Sequence, residues 1–200
     1  EDGIRDVERS RGLGDVYKRQ HRNGVDTRGV NVVQGETGVS IVLVNREAEV
    51  EVVEMLGVSE PVHWIDADII CESKVLHMTS CDPKSLKDAA SIANKQGLLI
   101  AFDPGRSTQR LGIKKLLPLL KYSNYLIINK HELRHLSGVK NTKQGARKIA
   151  KKFDLTCIIK AGKHEVMVEG RESFSVKPFK VKAVDTIGAG DAFCAGFLSG

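Results

Sequence analysis

The residues most able to do chemistry lie in VDTIGAGDAFCAGFL, residues 184–198. Gly188 and Gly190 let the backbone turn tightly without a side chain in the way, so the amides of Ala189, Gly190 and Asp191 can converge on an anion. The apolar periodicity from Asp191 through Phe193, Ala195, Phe197 and Leu198 predicts a helix, whose positive end adds to the same spot. Asp191 is the one carboxylate there. Beside a bound phosphate it would repel the anion, but it is well suited to take the proton from a hydroxyl attacking phosphorus. A Gly/Ala turn that merely opens a helix is the plainer alternative.

The elements that must position this loop are read from Val75 onward. VLHMTS (75–80) is predicted as a strand, followed by a helix capped by Asp82 and Pro83 that reaches about Gln96 and stops at Gly97. LLIAFD (98–103) is a buried strand, LGIKKLLPLLK (111–121) a helix, YLIIN (125–129) a strand, TKQGARKIAKKF (142–153) a helix and TCIIK (156–160) a strand. EVMVEG and RESFSV then form a hairpin leading back to the glycine loop. Strands alternating with helices predict an α/β fold with a mostly parallel sheet, whose ligands bind outside the carboxyl ends of the strands. Those ends are polar: DPGR carries Asp103 and Arg106, NKHE carries Asn129 and Glu132, and KAGKHE carries Lys160, Gly162 and Lys163. Each also has a plainer reading, as a proline-glycine turn with surface charges or as helix caps.

DTIGAGDAF resembles, nearly position for position, the C-terminal signature of the PfkB/ribokinase family of sugar and nucleoside kinases. The resemblance implies a ribokinase-like three-layer fold with a small β lid, and transfer of a phosphoryl group from ATP to a sugar or nucleoside hydroxyl. Asp191 then becomes the base, and Gly188, Ala189 and Gly190 the anion hole. Asn129 and Glu132 match the family's NxxE motif, whose carboxylate holds waters of the Mg2+ that bridges the nucleotide phosphates; that ion takes oxygen ligands and keeps several waters. Asp185 and the Ile187 carbonyl match ligands of a K+ ion whose remaining ligands would lie past Gly200. Asp185 and Thr186 also stand at the nucleotide. DPGR is similar to the family's DPN(L)R segment with Gly105 in place of Asn, which gives Asp103 and Arg106 a supporting or substrate-facing role. Lys160 stands where the family usually has Thr, while Gly162 is retained, so Lys160 or Lys163 would contact the donor phosphates. A hydroxymethylpyrimidine or pyridoxal kinase of the same superfamily, or a non-catalytic basic module, remains an alternative.

Three runs precede this core: VNVV (30–33), VSIVLVN (39–45) and VEVVEM (50–55), all strand-like. GVDTRGV followed by Thr37 and Gly38 is similar to the family's lid, so residues 25–55 are expected to form lid or edge strands, through which two copies could pair. Residues 1–20 hold five acidic and five basic residues without apolar periodicity. They resemble translated adapter sequence, which leaves 21–200 as a kinase domain expected to be truncated at both ends and inactive alone.

The 31 Lys and Arg against 25 Asp and Glu give a net charge of +6. The positive residues fall in pairs on helical patterns, such as Lys114 and Lys115 or Lys151 and Lys152. Without interleaved aromatics they read as solvated faces rather than as a nucleic-acid platform. Cys71, Cys81, Cys157 and Cys194 lack metal-ligand spacing and read as reduced thiols. His131, His135 and His164 have no zinc spacing and are expected at the surface. No apolar run of transmembrane length and no signal-peptide pattern occurs, which predicts a cytoplasmic protein.

Overall fold

The computed structural model describes residues 18–44, 50–58, 64–79, 82–105, 111–181, 186 and 188–200. The adapter-like segment lies outside these residues except for 18–20, which belong to a helical stretch at 18–22. Cys81, Arg106, Asp185 and Ile187 also lie outside them. The chain divides into two units, residues 1–69 and 70–200.

In the first unit, β1 (Thr37–Val44) and β2 (Val50–Gly57) form an antiparallel two-stranded ribbon. Val39 lies opposite Met55 and Ile41 opposite Val53, so these four share one apolar face. The predicted strand at 30–33 is not one: its residues are irregular, and Val32 is almost fully exposed. Its β-branched side chains favour a strand, but among the described residues no strand pairs with it.

The helix α1 (Ala67–Cys71) spans the boundary in sequence between the units. The second unit is built on a six-stranded sheet of order β3 (Val75–Thr79), β4 (Leu99–Asp103), β5 (Tyr125–Asn129), β6 (Thr156–Lys160), β7 (Val166–Glu169) and β8 (Ser173–Val176). β3 to β6 run parallel, while β7 and β8 extend the sheet antiparallel. The register sets Thr79 beside Asp103 and Asn129 beside Lys160, which lines up the polar strand ends along one edge.

The connecting helices follow from their caps and apolar faces. α2 (Pro83–Lys95) begins where the Asp82 carboxylate accepts from the Lys84 and Ser85 amides at 3.1 and 3.0 Å, and it buries Leu86, Ala90 and Ala93 on one face. The segment predicted as one helix over 111–121 is instead a single α turn, α3 (Ile113–Leu116), followed by a 3-10 helix at Leu117–Lys121. Pro118 has no N–H to continue the α ladder and its ring crowds the preceding turn. The tighter winding still buries Leu119 and Leu120. α4 (Lys130–Ser137) ends at Gly138, which is left-handed at φ 68°. α5 (Thr142–Phe153) is capped by Asn141 and buries Gly145, Ala146, Ile149 and Ala150.

Alternation along the strands divides the sheet between two helical layers. Ala101, Ile127 and Ile158 face α6 (Ala189–Ser199) and pack with Cys194, Phe193 and Leu198. On the opposite side, the buried Cys157 thiol reaches the Ala146 carbonyl of α5 at 3.5 Å. The arrangement of helices on both faces of a mostly parallel sheet is the α/β fold the sequence predicts. Among the described residues, no helix is long and apolar enough to cross a membrane.

Candidate functional site

The carboxyl ends of β4, β5 and β6 and the start of α6 bring most of the described candidate residues together. Asp103 closes β4 and is 7% exposed. Its Oδ1 accepts from the Gly105 amide at 3.1 Å, and its Oδ2 from Lys160 Nζ at 2.5 Å and from the Cys194 thiol at 3.4 Å. Lys160 closes β6, so the ion pair passes the end of β5, which lies between their strands. Lys160 reaches across because its four-carbon stem is long. The ammonium also lies against α6: a Cβ built on Gly190 would sit 3.8 Å from Lys160 Nζ.

The start of α6 is made by Gly188, which occupies the left-handed region at φ 76° and offers no side-chain cap. The Ala189 amide donates to the Thr186 carbonyl at 3.1 Å, and the Ala192 amide to the Gly188 carbonyl at 2.9 Å. Of the residues expected to form the anion hole, Ala189 therefore has its amide already engaged within the turn. Among the described residues the first-turn amides of Gly190 and Asp191 have no acceptor. Asp191 is exposed in that turn. Its charge, after burial and the Asp103 carboxylate, helps push the Cys194 thiol up to about 11.

Asn129 and Glu132 form a reciprocal capping box at the start of α4. The Asn129 side-chain oxygen accepts from the Glu132 amide, and Glu132 Oε2 accepts from the Asn129 amide, both at 2.9 Å. One carboxylate oxygen, Oε1, has no hydrogen-bond donor among the described residues. Burial raises Glu132 above the ordinary carboxylate value; the Asn129 amide opposes that shift, Asp103 adds to it and Lys160 opposes it. These charges therefore share one electrostatic neighbourhood.

The remaining candidates are more dispersed. Gly162 turns the chain after β6 at φ 59° into open space. Lys163 lines a cleft with Lys130, His164, Met167 and Lys177. Thr186 is exposed. His131 and His135 are exposed and stand one turn apart on α4, their rings 4.5 Å between centroids. Among the described residues, no three His, Cys, Asp or Glu side chains cluster to hold a metal ion. Sequence reading missed the mutual pairing of Asp103 and Lys160 and the Cys194 contact, because the partners lie 57 and 91 residues apart. Their opposite charges at two strand ends were the available signal.

The sequence profile of the pfkB family of carbohydrate kinases matches residues 13–200. The chain belongs to the pfkB family. Within this family the chain is 36% identical, over 181 residues, to the ATP-dependent ribose-1-phosphate kinase of Halopiger xanaduensis, covering 88% of this chain and 58% of that relative. The pfkB fold is also seen in two solved structures. Ribokinase from Thermotoga maritima aligns with a TM-score of 0.78 at 23% identity, over 92% of this chain and 62% of that one. Adenosine kinase from Sinorhizobium meliloti aligns with a TM-score of 0.80 at 21% identity, over 98% and 63%. This pfkB chain thus spans about six tenths of the length of these relatives.

Proposed function

We propose that the carboxyl edge of the sheet transfers the terminal phosphoryl group of ATP to a hydroxyl of a sugar or nucleoside. The observation carrying this reading is the convergence of one exposed carboxylate, two helix amides without an acceptor among the described residues and one oriented ammonium at the same edge. Asp191 takes the acceptor proton as its oxygen attacks phosphorus. The Gly190 and Asp191 amides and the dipole of α6 stabilise charge on the moving group, and Lys160 meets the donor phosphates. Gly162 and Thr186 leave space for the nucleotide.

The donor set fits Mg2+: Glu132 offers Oε1 while Oε2 stays in the capping box, and Asn129 adds a second oxygen function at the same strand end. Bound through water there, the ion would neutralise phosphate charge. A K+ ion beside the loop rests on the family resemblance of Asp185 and Ile187 alone, as does an acceptor contact by Arg106. The apolar β1–β2 face supports reading the ribbon as a lid that also pairs two copies. The nucleotide donor puts the protein in the cytoplasm. The ribose-1-phosphate kinase relative directs attention to phosphorylated as well as free sugars.

The test is ATP turnover, by the chain extended to the length of its pfkB relatives, across sugars, sugar phosphates and nucleosides, with Asp191→Asn in parallel. The substitution is expected to lower kcat by roughly 10² to 10⁴. Unchanged turnover in Asp191→Asn would remove Asp191 from the chemistry.

A further inference from the structure

We propose that Asp103 is a positioning residue: it touches neither substrate and acts by holding the Lys160 ammonium at the start of α6, where that ammonium binds the donor phosphates. The inference rests on the kinase reading above and assigns Asp103 a role different from the substrate contact its sequence position suggests. Both Asp103 oxygens are occupied, Oδ1 by the Gly105 amide and Oδ2 by Lys160 and the Cys194 thiol. Its side chain is only 10% exposed, against 22% for Lys160, so a ligand arriving at the edge meets the ammonium first.

An ammonium has three donors. One is directed to Asp103, and among the described residues the other two have no acceptor and can meet an anion. Lysine otherwise loses much of its rotamer freedom when its stem is fixed by the ligand itself. The ion pair fixes it before the ligand arrives, and such preorganisation increases affinity. The pair is neutral at a distance, but at the first turn of α6 it is the ammonium that lies beside Gly190, while Asp103 meets the helix further along, at Cys194. The ammonium therefore adds to the positive end of the helix. Gly190 completes the device, because its missing side chain leaves the space between the ammonium and the helix amides open.

The experiment compares Asp103→Asn, Lys160→Met and the double variant in the extended chain. It measures kcat, KM for ATP, KM for the acceptor, ATP binding with magnesium in the absence of acceptor, and Tm. Each single substitution should raise KM for ATP about ten- to a hundredfold, the range of a charge-assisted contact, and leave KM for the acceptor within about twofold of wild type. The double variant should be no worse than Lys160→Met, because Asp103 acts only through Lys160. Lys160→Met should also lower Tm by leaving a buried carboxylate unpaired. The double variant should recover Tm but not ATP affinity, a separation that a purely structural pair would not produce.

A rise confined to KM for the acceptor, an unchanged KM for ATP, or recovery of both properties in the double variant would overturn the inference while leaving wild-type kinase activity intact. A wild-type protein extended to the length of its pfkB relatives that neither binds ATP with magnesium nor turns over would overturn the inference and the kinase reading together.

Discussion

Glu132 is predicted to separate capping from metal binding when replaced by alanine and by glutamine. In Glu132→Ala the Asn129 amide loses the acceptor at 2.9 Å in a partly buried place. Loss of a cap and an unsatisfied amide together should cost about 2 kcal/mol, or a Tm decrease of roughly 4–8 °C for a chain of this size. Glutamine keeps a carbonyl oxygen for the same amide and removes only the charge. Burial raises the folded-state value of Glu132 above that of the unfolded chain. The favourable contribution of its protonated form is therefore full below the unfolded value of 4.5 and is lost as pH rises through the raised folded value. Glu132→Gln should match wild type in stability near pH 4 and equal or exceed it at pH 7, with a weaker fall between. Thermal melts at both pH values measure this, and turnover against magnesium concentration measures the second role. The glutamine variant should need far more magnesium despite its native stability. If glutamine were as destabilising as alanine, the backbone bond would not explain the cap. Wild-type magnesium dependence in a stable glutamine variant would reduce Glu132 to a cap.

Glu169 should show the opposite pH trend. Burial favours its neutral form, but the Ser173 hydroxyl and then Arg147 and Lys143 outweigh that and lower its value below the ordinary carboxylate range. Its contribution is present above the unfolded value of 4.5 and is lost as pH falls through the lowered folded value; Glu169→Gln, measured by urea denaturation at pH 7, should cost on the order of 1–2 kcal/mol, since Arg147 and Lys143 are more than half exposed and water screens them. Gly190→Ala should fold with a Tm close to wild type, because its new Cβ would meet Lys160 Nζ at an ordinary 3.8 Å. It should still weaken ATP binding severalfold by filling the space in front of the amides, and unchanged affinity would move the anion elsewhere.

Legibility in the sequence followed how local each determinant is. β5, α5 and β6 coincide with their predicted bounds because each is a short apolar or amphipathic run, with the Asn129 cap after β5 visible in the sequence. The 3-10 winding at Leu117–Lys121 was also written locally, in Pro118, but the leucine periodicity around it masked the break. VNVV at 30–33 has strand-forming residues, yet a strand needs a partner, and pairing is not a property of four residues. The ion pair between Asp103 and Lys160 depends on the register of three parallel strands and on the reach of one side chain. Even with every strand correctly bounded, the sequence offered no way to choose between two independent surface charges and one oriented ammonium.

The capping box shows a different kind of ambiguity. Asn129 and Glu132 fit both a helix cap and a magnesium motif in sequence, as though the two readings competed. The geometry makes them compatible: Glu132 commits Oε2 to the backbone and keeps Oε1 without a donor among the described residues. Fixing one oxygen restricts the rotamer of the whole carboxylate, so the cap reduces the entropy a water-mediated metal contact would have to overcome. The same reasoning applies to Lys160, whose charge becomes useful at the helix end because Asp103 has already restricted its stem. At this edge, a side chain tied into a local structural bond keeps a lone pair, a proton or a second oxygen for a ligand, so a residue with a good structural explanation is still a candidate for chemistry.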